Sequence, residues 1–229
     1  MKVELVEAQA KFPYVTVLAD QDGGAIFATD SLSFVESRFP ATVEEEGICQ
    51  IGKMFDSLLG NVRDDKVTLA TTETMLTIRG DRGLKGRLQM VAGEAAPRDI
   101  IVDKMNNTLI DVDMVVLKAD MMALIQLSKL LPPTGASAPW LTIRVTKDAV
   151  IGSTPGSELG GIEEMPFQVV SMDLEVEELT VKIFIPRIEK FVSLCDNECE
   201  LRTALDPKIP LIIRDPHSPE WWAMTARGA

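Results

Sequence analysis

Lys118, Met122, Gln126 and Lys129 are spaced four, four and three residues apart, so a helix would carry them on one face with two cations among them. Arg187 and Lys190 stand three apart in a second amphipathic segment, and Lys53 and Arg63 bracket a third. Such pairs offer electrostatic chemistry: they attract phosphates and read no base edges. Lysines on an exposed helix face are usually just solvated. The same arrangement on three helices is what favours a shared purpose.

Signals for bond chemistry are poor. The only histidine, His217, lies in the turn "DPHSP" and is expected to be solvated rather than to act as a base. "GDRGLKG" lacks the Gly-Lys-Ser/Thr ending of a phosphate loop, and "STPGSELGG" lies between strands rather than ahead of a helix. Cys49, Cys195 and Cys199 are an odd count without paired CxxC motifs, which argues against a disulfide framework or structural zinc. Cys195 and Cys199 could face each other at a helix end, but two further metal ligands are missing. In "MDLEVEEL" Asp173, Glu175 and Glu177 alternate with Met172, Leu174 and Val176, as on a strand with one acidic face. Such acids more often blunt an edge than hold a metal. No cofactor and no metal are expected.

The chain has 229 residues, 46% apolar and 25% charged, as in ordinary globular proteins. No apolar run approaches the roughly 20 residues of a membrane span. The start, MKVELVEAQAKF, carries acids where a signal peptide needs an apolar stretch, so the cytoplasm is the expected location. A net charge of −12 disfavours nucleic acid as a partner if taken as an average. Its distribution matters more: acids gather in the Asp173 segment and at Glu44-Glu45-Glu46, while cations gather on helix faces.

Strands dominate the elements. YVTVL (14–18), the turn QDGG and AIFA (25–28) read as a hairpin, and WLTIRV (140–145), TKD and AVI (149–151) as a second. More strand-like residues follow in LSFV (32–35) and FQVV (167–170). Phe55, Leu58, Leu59 and Val62 predict a helix over about 53–63, and Ile188, Phe191, Val192 and Cys195 predict another after Pro186. The longest helix should begin near Ala119-Asp120 and stop before Pro132; its apolar residues nearly encircle it, so it should be well buried. Residues 93–112 show little periodicity and read as a connector.

The order strand, short helix, strand, strand, strand occurs twice. "MLTIRGD" lines up with "PLIIRDP" and "LQM" with "WAM", at offsets of 133 (Phe55 against Ile188) to 135 (Leu76 against Leu211). The expected fold is therefore α+β, with two repeated domains at 1–93 and 113–229 joined by the connector 94–112.

On these features the chain resembles the DNA sliding clamps, the processivity factors of replicative polymerases. "RVTKDAVIGSTPGSELGG" is similar to the hairpin after the first helix of the C-terminal domain of eukaryotic and archaeal clamps, "FATDSLSFVESRF" to the matching N-terminal segment, and "RD…WWAMTAR" to the final strands. Length and two-domain layout resemble the three-subunit clamps, including those of T4-type bacteriophages; bacterial clamps have three domains per chain and form dimers. The resemblance implies clamp-type domains in a six-domain ring, a homotrimer with helices lining the hole around duplex DNA. Lys53, Arg63, Lys118, Lys129, Arg187 and Lys190 would then face DNA. It also implies a surface pocket for peptides of the polymerase and other partners, with Pro210, Trp222 and Met224 on one wall and Leu109 and Ile110 opposite. Trp222 and Met224 fall two apart, so on a strand they share a side, and Trp221 faces the other way. An ATP-using clamp loader would open the ring, and the clamp itself would be no enzyme. One departure concerns the N-terminus. About a dozen residues precede the first hairpin, too few for the strand and helix that open a clamp domain at about 3.3 Å and 1.5 Å per residue. Two rival classes remain: a β-rich structural or assembly protein such as a virion component, and an enzyme with a carboxylate metal site around Asp173. The first would not predict cations gathered on helix faces, and the second would need divalent-metal binding that is lost on Asp173→Ala.

Overall fold

The structure, a computed structural model, describes residues 14–30, 32–52, 66–91, 98–130, 140–154 and 160–228. The helix expected over 53–63 and the N-terminal dozen residues lie outside these. The chain divides into two compact units, Met1–Asp103 and Lys104–Ala229.

In the first unit β1 (Val15–Asp20) and β2 (Gly23–Thr29) form the hairpin that the QDGG turn predicts. Gly23 sits at φ +117°, a conformation that side-chain-bearing residues rarely adopt. β3 (Ser33–Phe39) pairs with β2, and β4 (Gly47–Ile51) with β1, all antiparallel, giving the order β3-β2-β1-β4. β5 (Val67–Thr71), β6 (Met75–Gly80) and β7 (Lys85–Gln89) make a separate antiparallel sheet in that order. Val15, Val17, Ile26, Cys49, Ile51, Leu76 and Ile78 form one buried cluster from both sheets.

Residues 98–106 depart from the expected connector by forming a helix, α1 (Arg98–Asn106). It buries no side chain, which is why no apolar periodicity announced it. Its fixed point is ionic. Arg98 donates to both carboxylate oxygens of Glu36 at 2.6 and 2.7 Å, and the Glu36 side chain is only 2% exposed. That hydrogen bond, above all, raises the Arg98 pKa above its ordinary value.

The second unit runs β8 (Val112–Leu117), α2 (Lys118–Leu130), β9 (Trp140–Thr146), β10 (Val150–Ser153), β11 (Met165–Pro166), β12 (Val169–Leu174), β13 (Glu178–Phe184), α3 (Ile185–Leu194), β14 (Glu198–Thr203), β15 (Leu211–Arg214), β16 (Trp221–Thr225) and β17 (Arg227–Gly228). One sheet has the order β12-β8-β14-β15-β16 and the other β11-β10-β9-β13-β17, all pairs antiparallel. α3 packs its i, i+3, i+6, i+7 stripe (Ile185, Ile188, Phe191, Val192) into the core, each of these residues at most 3% exposed. Burial on this scale contributes about 2 kcal/mol per large apolar side chain. Gly152 leaves room for α2: a Cβ there would stand 2.5 Å from Leu124 Cδ2 and 2.6 Å from Phe167.

Two expectations need correction here. α2 is not buried all round. Met121, Leu124 and Ile125 are buried, while Leu127 and Leu130 are 44% and 79% exposed. At about 100° per residue Leu130 lies half a turn from Met121, so a one-sided core cannot reach it. The acidic strand also ends sooner than expected. β12 stops at Leu174, and Glu175 to Glu177 form the bend into β13.

The internal repeat is visible in the pairing: β2-β1-β4 matches β10-β9-β13, and β5-β6-β7 matches β14-β15-β16. Leu76 and Ile78 of β6 are buried like Leu211 and Ile213 of β15. The final strands align differently from "LQM" on "WAM". Leu76 pairs with Leu88, and its counterpart Leu211 pairs with Thr225, so Leu88 corresponds to Thr225. By the same register Trp222 and Met224 correspond to Lys85 and Arg87. Matching by hydrophobicity slipped because β16 carries its large apolar residues on the outward side.

Cys49, Cys195 and Cys199 are all buried and free. Burial raises the Cys49 pKa to about 11, so the thiol stays neutral at neutral pH. A chromogenic disulfide reagent should therefore find no fast-reacting thiol in the native protein and three after denaturation. A stoichiometric native reaction would show that one of these sites opens.

Candidate nucleic-acid and peptide interfaces

Four of the six helix cations lie in the second unit, on α2 and α3, which pack side by side; Lys53 and Arg63 lie outside the described residues. α2 starts immediately after β8, and α3 starts at the end of β13, with Pro186 in its first turn. Lys118 does not point away from the protein. Its Nζ donates to the carbonyl of Ser193 at 3.0 Å and to that of Cys195. These carbonyls close the C-terminal end of α3, where backbone acceptors lack helical partners and positive charge is favoured. Lys118 is thus a cap in the fold. Lys129, half exposed, forms an ion pair with Glu189 of α3. The Arg187 guanidinium carbon lies 5.3 Å from the centroid of the Phe184 ring, a cation–π contact. Lys190 is half-buried, on the α3 side facing away from the apolar stripe. The paired helices so gather four cations, one of them neutralised by a neighbouring acid and one committed to capping.

A second feature is the outer face of the β12-β8-β14-β15-β16 sheet. On β15 and β16, Leu211, Ile213, Ala223 and Thr225 point into the core and are at most 1% exposed. Met224 pairs with Ile212 on the opposite face, and Trp222, two residues before it on β16, shares that face. Trp222, Met224 and Pro210 are half-buried, as is Trp221 on the other side. Ile110 precedes Asp111, whose N–H donates to the carbonyl of Thr203 at 3.0 Å. The Thr203 hydroxyl donates in turn to the carbonyl of Pro210 at 3.3 Å. Ile110 and Pro210 are thereby tied to one end of β14, while Leu109 is 87% exposed.

Beside these apolar residues runs an ionic ladder that the sequence reading missed. Arg214 donates to both oxygens of Glu200, at 2.5 and 2.6 Å, and Glu200 is 6% exposed. Arg202 meets Asp113 at 2.9 Å and lies 3.9 Å from Glu200. Burial, with Glu200 adding to it, raises the Asp113 pKa above the usual carboxylate value, although both arginines pull it down. Period-two alternation could have found these residues: Pro210, Ile212 and Arg214 alternate with Leu211 and Ile213. His217 also differs from a purely solvated side chain, since its Nε2 lies 3.1 Å from Glu198 Oε2 while the ring stays exposed.

Among the described residues no group of three or more histidines, cysteines or carboxylates is arranged for a metal. No helix of the described residues is long and apolar enough to cross a membrane.

No family model and no curated protein matches the chain. Solved structures do. The DNA polymerase sliding clamp of Bacillus subtilis is 14% identical with a TM-score of 0.81, over 99% of this chain and 59% of that one. The DNA polymerase beta subunit of Streptococcus pyogenes is 12% identical at a TM-score of 0.81, over 98% and 60%. The DNA polymerase III beta chain of Streptococcus pneumoniae is 11% identical at 0.80, over 99% and 59%. The chain therefore spans about three fifths of the length of these structures, and from first to last described residue its two units carry the fold of the DNA sliding clamps.

Proposed function

We propose that the protein is a DNA sliding clamp that encircles duplex DNA and tethers a polymerase. The observation that carries this reading is the clamp fold extending over nearly the whole chain. The mechanism is topological: a closed ring confines the protein to the duplex, and partners dock on its outer surface without bond chemistry. Clamp-type domains at 1–93 and 113–229, joined through 94–112, assemble as a homotrimer into a six-domain ring, opened by a clamp loader. Two units per chain support three copies rather than the dimer of three-domain chains.

Lys129, Arg187 and Lys190 are the cations on α2 and α3 that serve duplex DNA, with Lys53 and Arg63 as counterparts in the first unit; Lys118 is set apart by its capping role. Binding is non-specific and sensitive to salt until the ring closes. Replacing Lys129 and Lys190 by glutamate should weaken binding to a short open duplex at least several-fold. The log–log salt slope should shrink by about 1.8, or ~0.9 per lost phosphate contact. Lys118→Met should instead lower stability with little change in that slope. Fluorescence anisotropy across a salt series measures both, and an unchanged slope in the double variant would remove DNA from this helix face.

The partner pocket comprises Pro210, Trp222 and Met224 with Leu109 and Ile110. Aromatic and thioether groups suit a pocket that accepts several peptides.

A further inference from the structure

β9 and β13 alternate so that one side of their sheet enters the core: Leu141, Ile143, Val145, Leu179, Val181 and Ile183 are at most 5% exposed. The other side carries Trp140, Thr142 and Arg144 on β9 and Thr180, Lys182 and Phe184 on β13. Arg144, Thr180 and Lys182 are exposed, while Trp140 and Phe184 are half-buried. Trp140 stands directly opposite Phe184, and Thr142 opposite Lys182. The two rings meet edge to face, 5.6 Å between centroids and 61° between planes. Arg187, from the first turn of α3, lays its guanidinium 5.3 Å from the centroid of Phe184. Two large aromatic groups on the outward side of a sheet add nothing to the core behind it. Their placement is nonetheless fixed. Gly228 of β17 pairs with Lys182, and a Cβ there would stand 3.0 Å from Trp140 Cζ3 and 3.1 Å from Lys182 Cβ. The indole therefore reaches across β13 onto bare backbone, and a ring so held loses little freedom when something binds it. The charge around it is positive in a chain with 35 acidic and 23 basic residues. Arg144, Lys182 and Arg187 are the cations. Glu164 pairs with Arg144 at 3.1 Å, an exposed contact that water and salt weaken, and Glu178 lies at the far end of the face opposite Thr146.

We infer that this outward face of β9 and β13 binds single-stranded nucleic acid. Bases stack on the Trp140 indole and on the guanidinium of Arg187 over Phe184, and Lys182 and Arg144 meet the phosphates. Rigid aromatic surfaces flanked by cations are what an unpaired strand needs, because every base offers it a π-face. A duplex would use the cations alone, since its bases already stack on one another, and the sheet face offers no element to enter a groove. An acidic peptide would likewise leave the stacking surfaces unused. No side chain here is placed to read a base edge, so binding is independent of sequence. The site lies within the second unit and needs no ring, so it goes beyond the clamp reading and does not depend on it.

Fluorescence anisotropy of a labelled oligothymidylate of about 12 nucleotides, which forms no duplex, tests the site on the full chain. Circular dichroism verifies that each variant folds. The wild type should bind the oligonucleotide with an affinity that falls as salt rises. Arg144→Glu with Lys182→Glu should lower that affinity at least about tenfold and shrink the log–log salt slope by about 1.4, or ~0.7 per lost phosphate contact to a single strand. Trp140→Leu keeps an apolar group beside Gly228 and removes the stacking surface. It should lower affinity about fivefold or more with the salt slope unchanged. Arg187 is kept in every variant, since α3 is also proposed to serve duplex DNA. Both variants should bind a short duplex as the wild type does. A wild type that does not bind oligothymidylate, a Trp140→Leu variant that binds it as tightly as the wild type, or equal losses on duplex and oligothymidylate in the charge-reversed variant would each overturn the inference. Displacement of oligothymidylate by polyglutamate at the same concentration of charge would overturn it too and reassign the face to an acidic peptide. Retention of a closed ring on duplex DNA is a separate readout, so failure here leaves the clamp reading intact.

Discussion

Arg98→Ala should cost the first unit about 3 kcal/mol, which makes it the most damaging single substitution outside the apolar core. The reason is the state of Glu36. Its carboxylate is 2% exposed and receives two hydrogen bonds from Arg98. Arg38 stands 3.8 Å from the same carboxylate, but it is already engaged with Asp20 at 2.7 Å. Removing Arg98 leaves a buried charge with only this distant partner, and breaking one side of such a pair costs far more than replacing both. Glu36→Leu combined with Arg98→Met should recover most of the loss. Urea unfolding of the wild type, Arg98→Met, Glu36→Leu and the double variant measures the coupling. A loss below about 0.5 kcal/mol for Arg98→Ala would place the anchor of α1 elsewhere.

The second large effect is expected at the proposed partner pocket. Trp222→Ala with Met224→Ala should lower affinity for a peptide selected on the wild-type protein at least about 100-fold, since central aromatic anchors are each worth roughly 2 kcal/mol or more. Both side chains are half-buried and stand on the face opposite Ala223 and Thr225, so truncation spares the core. Leu109→Glu is the milder control. At 87% exposure it should not alter stability measurably, yet it should weaken peptide binding if the connector forms the opposite wall. Calorimetry that finds unchanged affinity in the double variant would move the pocket off this face.

Particular residues show why some of this was legible in the sequence. α3 was legible because Ile188, Phe191, Val192 and Cys195 are buried in phase and Pro186 marks the start. Both hairpins were legible from turn chemistry and alternation. α1 was not, because it is fixed by a partner 62 residues away rather than by an apolar stripe. The role of Lys118 was hidden for a similar reason: its acceptors are backbone carbonyls 75 and 77 residues on, and a carbonyl leaves no mark in a sequence. The slip of "WAM" against "LQM" has the opposite cause. Apolar residues usually mark the core side of a strand, and β16 breaks that habit with Trp222 and Met224. The same break is what marks its outer face as the surface proposed for partners.

The central claim is topological confinement, and end-blocked DNA tests it directly. The protein is threaded onto a linear duplex, both ends are capped with a bulky protein, and the ionic strength is raised. A sliding clamp should remain on the capped duplex and leave the uncapped one, because salt removes the electrostatic contacts and leaves the ring intact around the DNA. Equal release from both duplexes would contradict the claim and leave the clamp fold in need of another function.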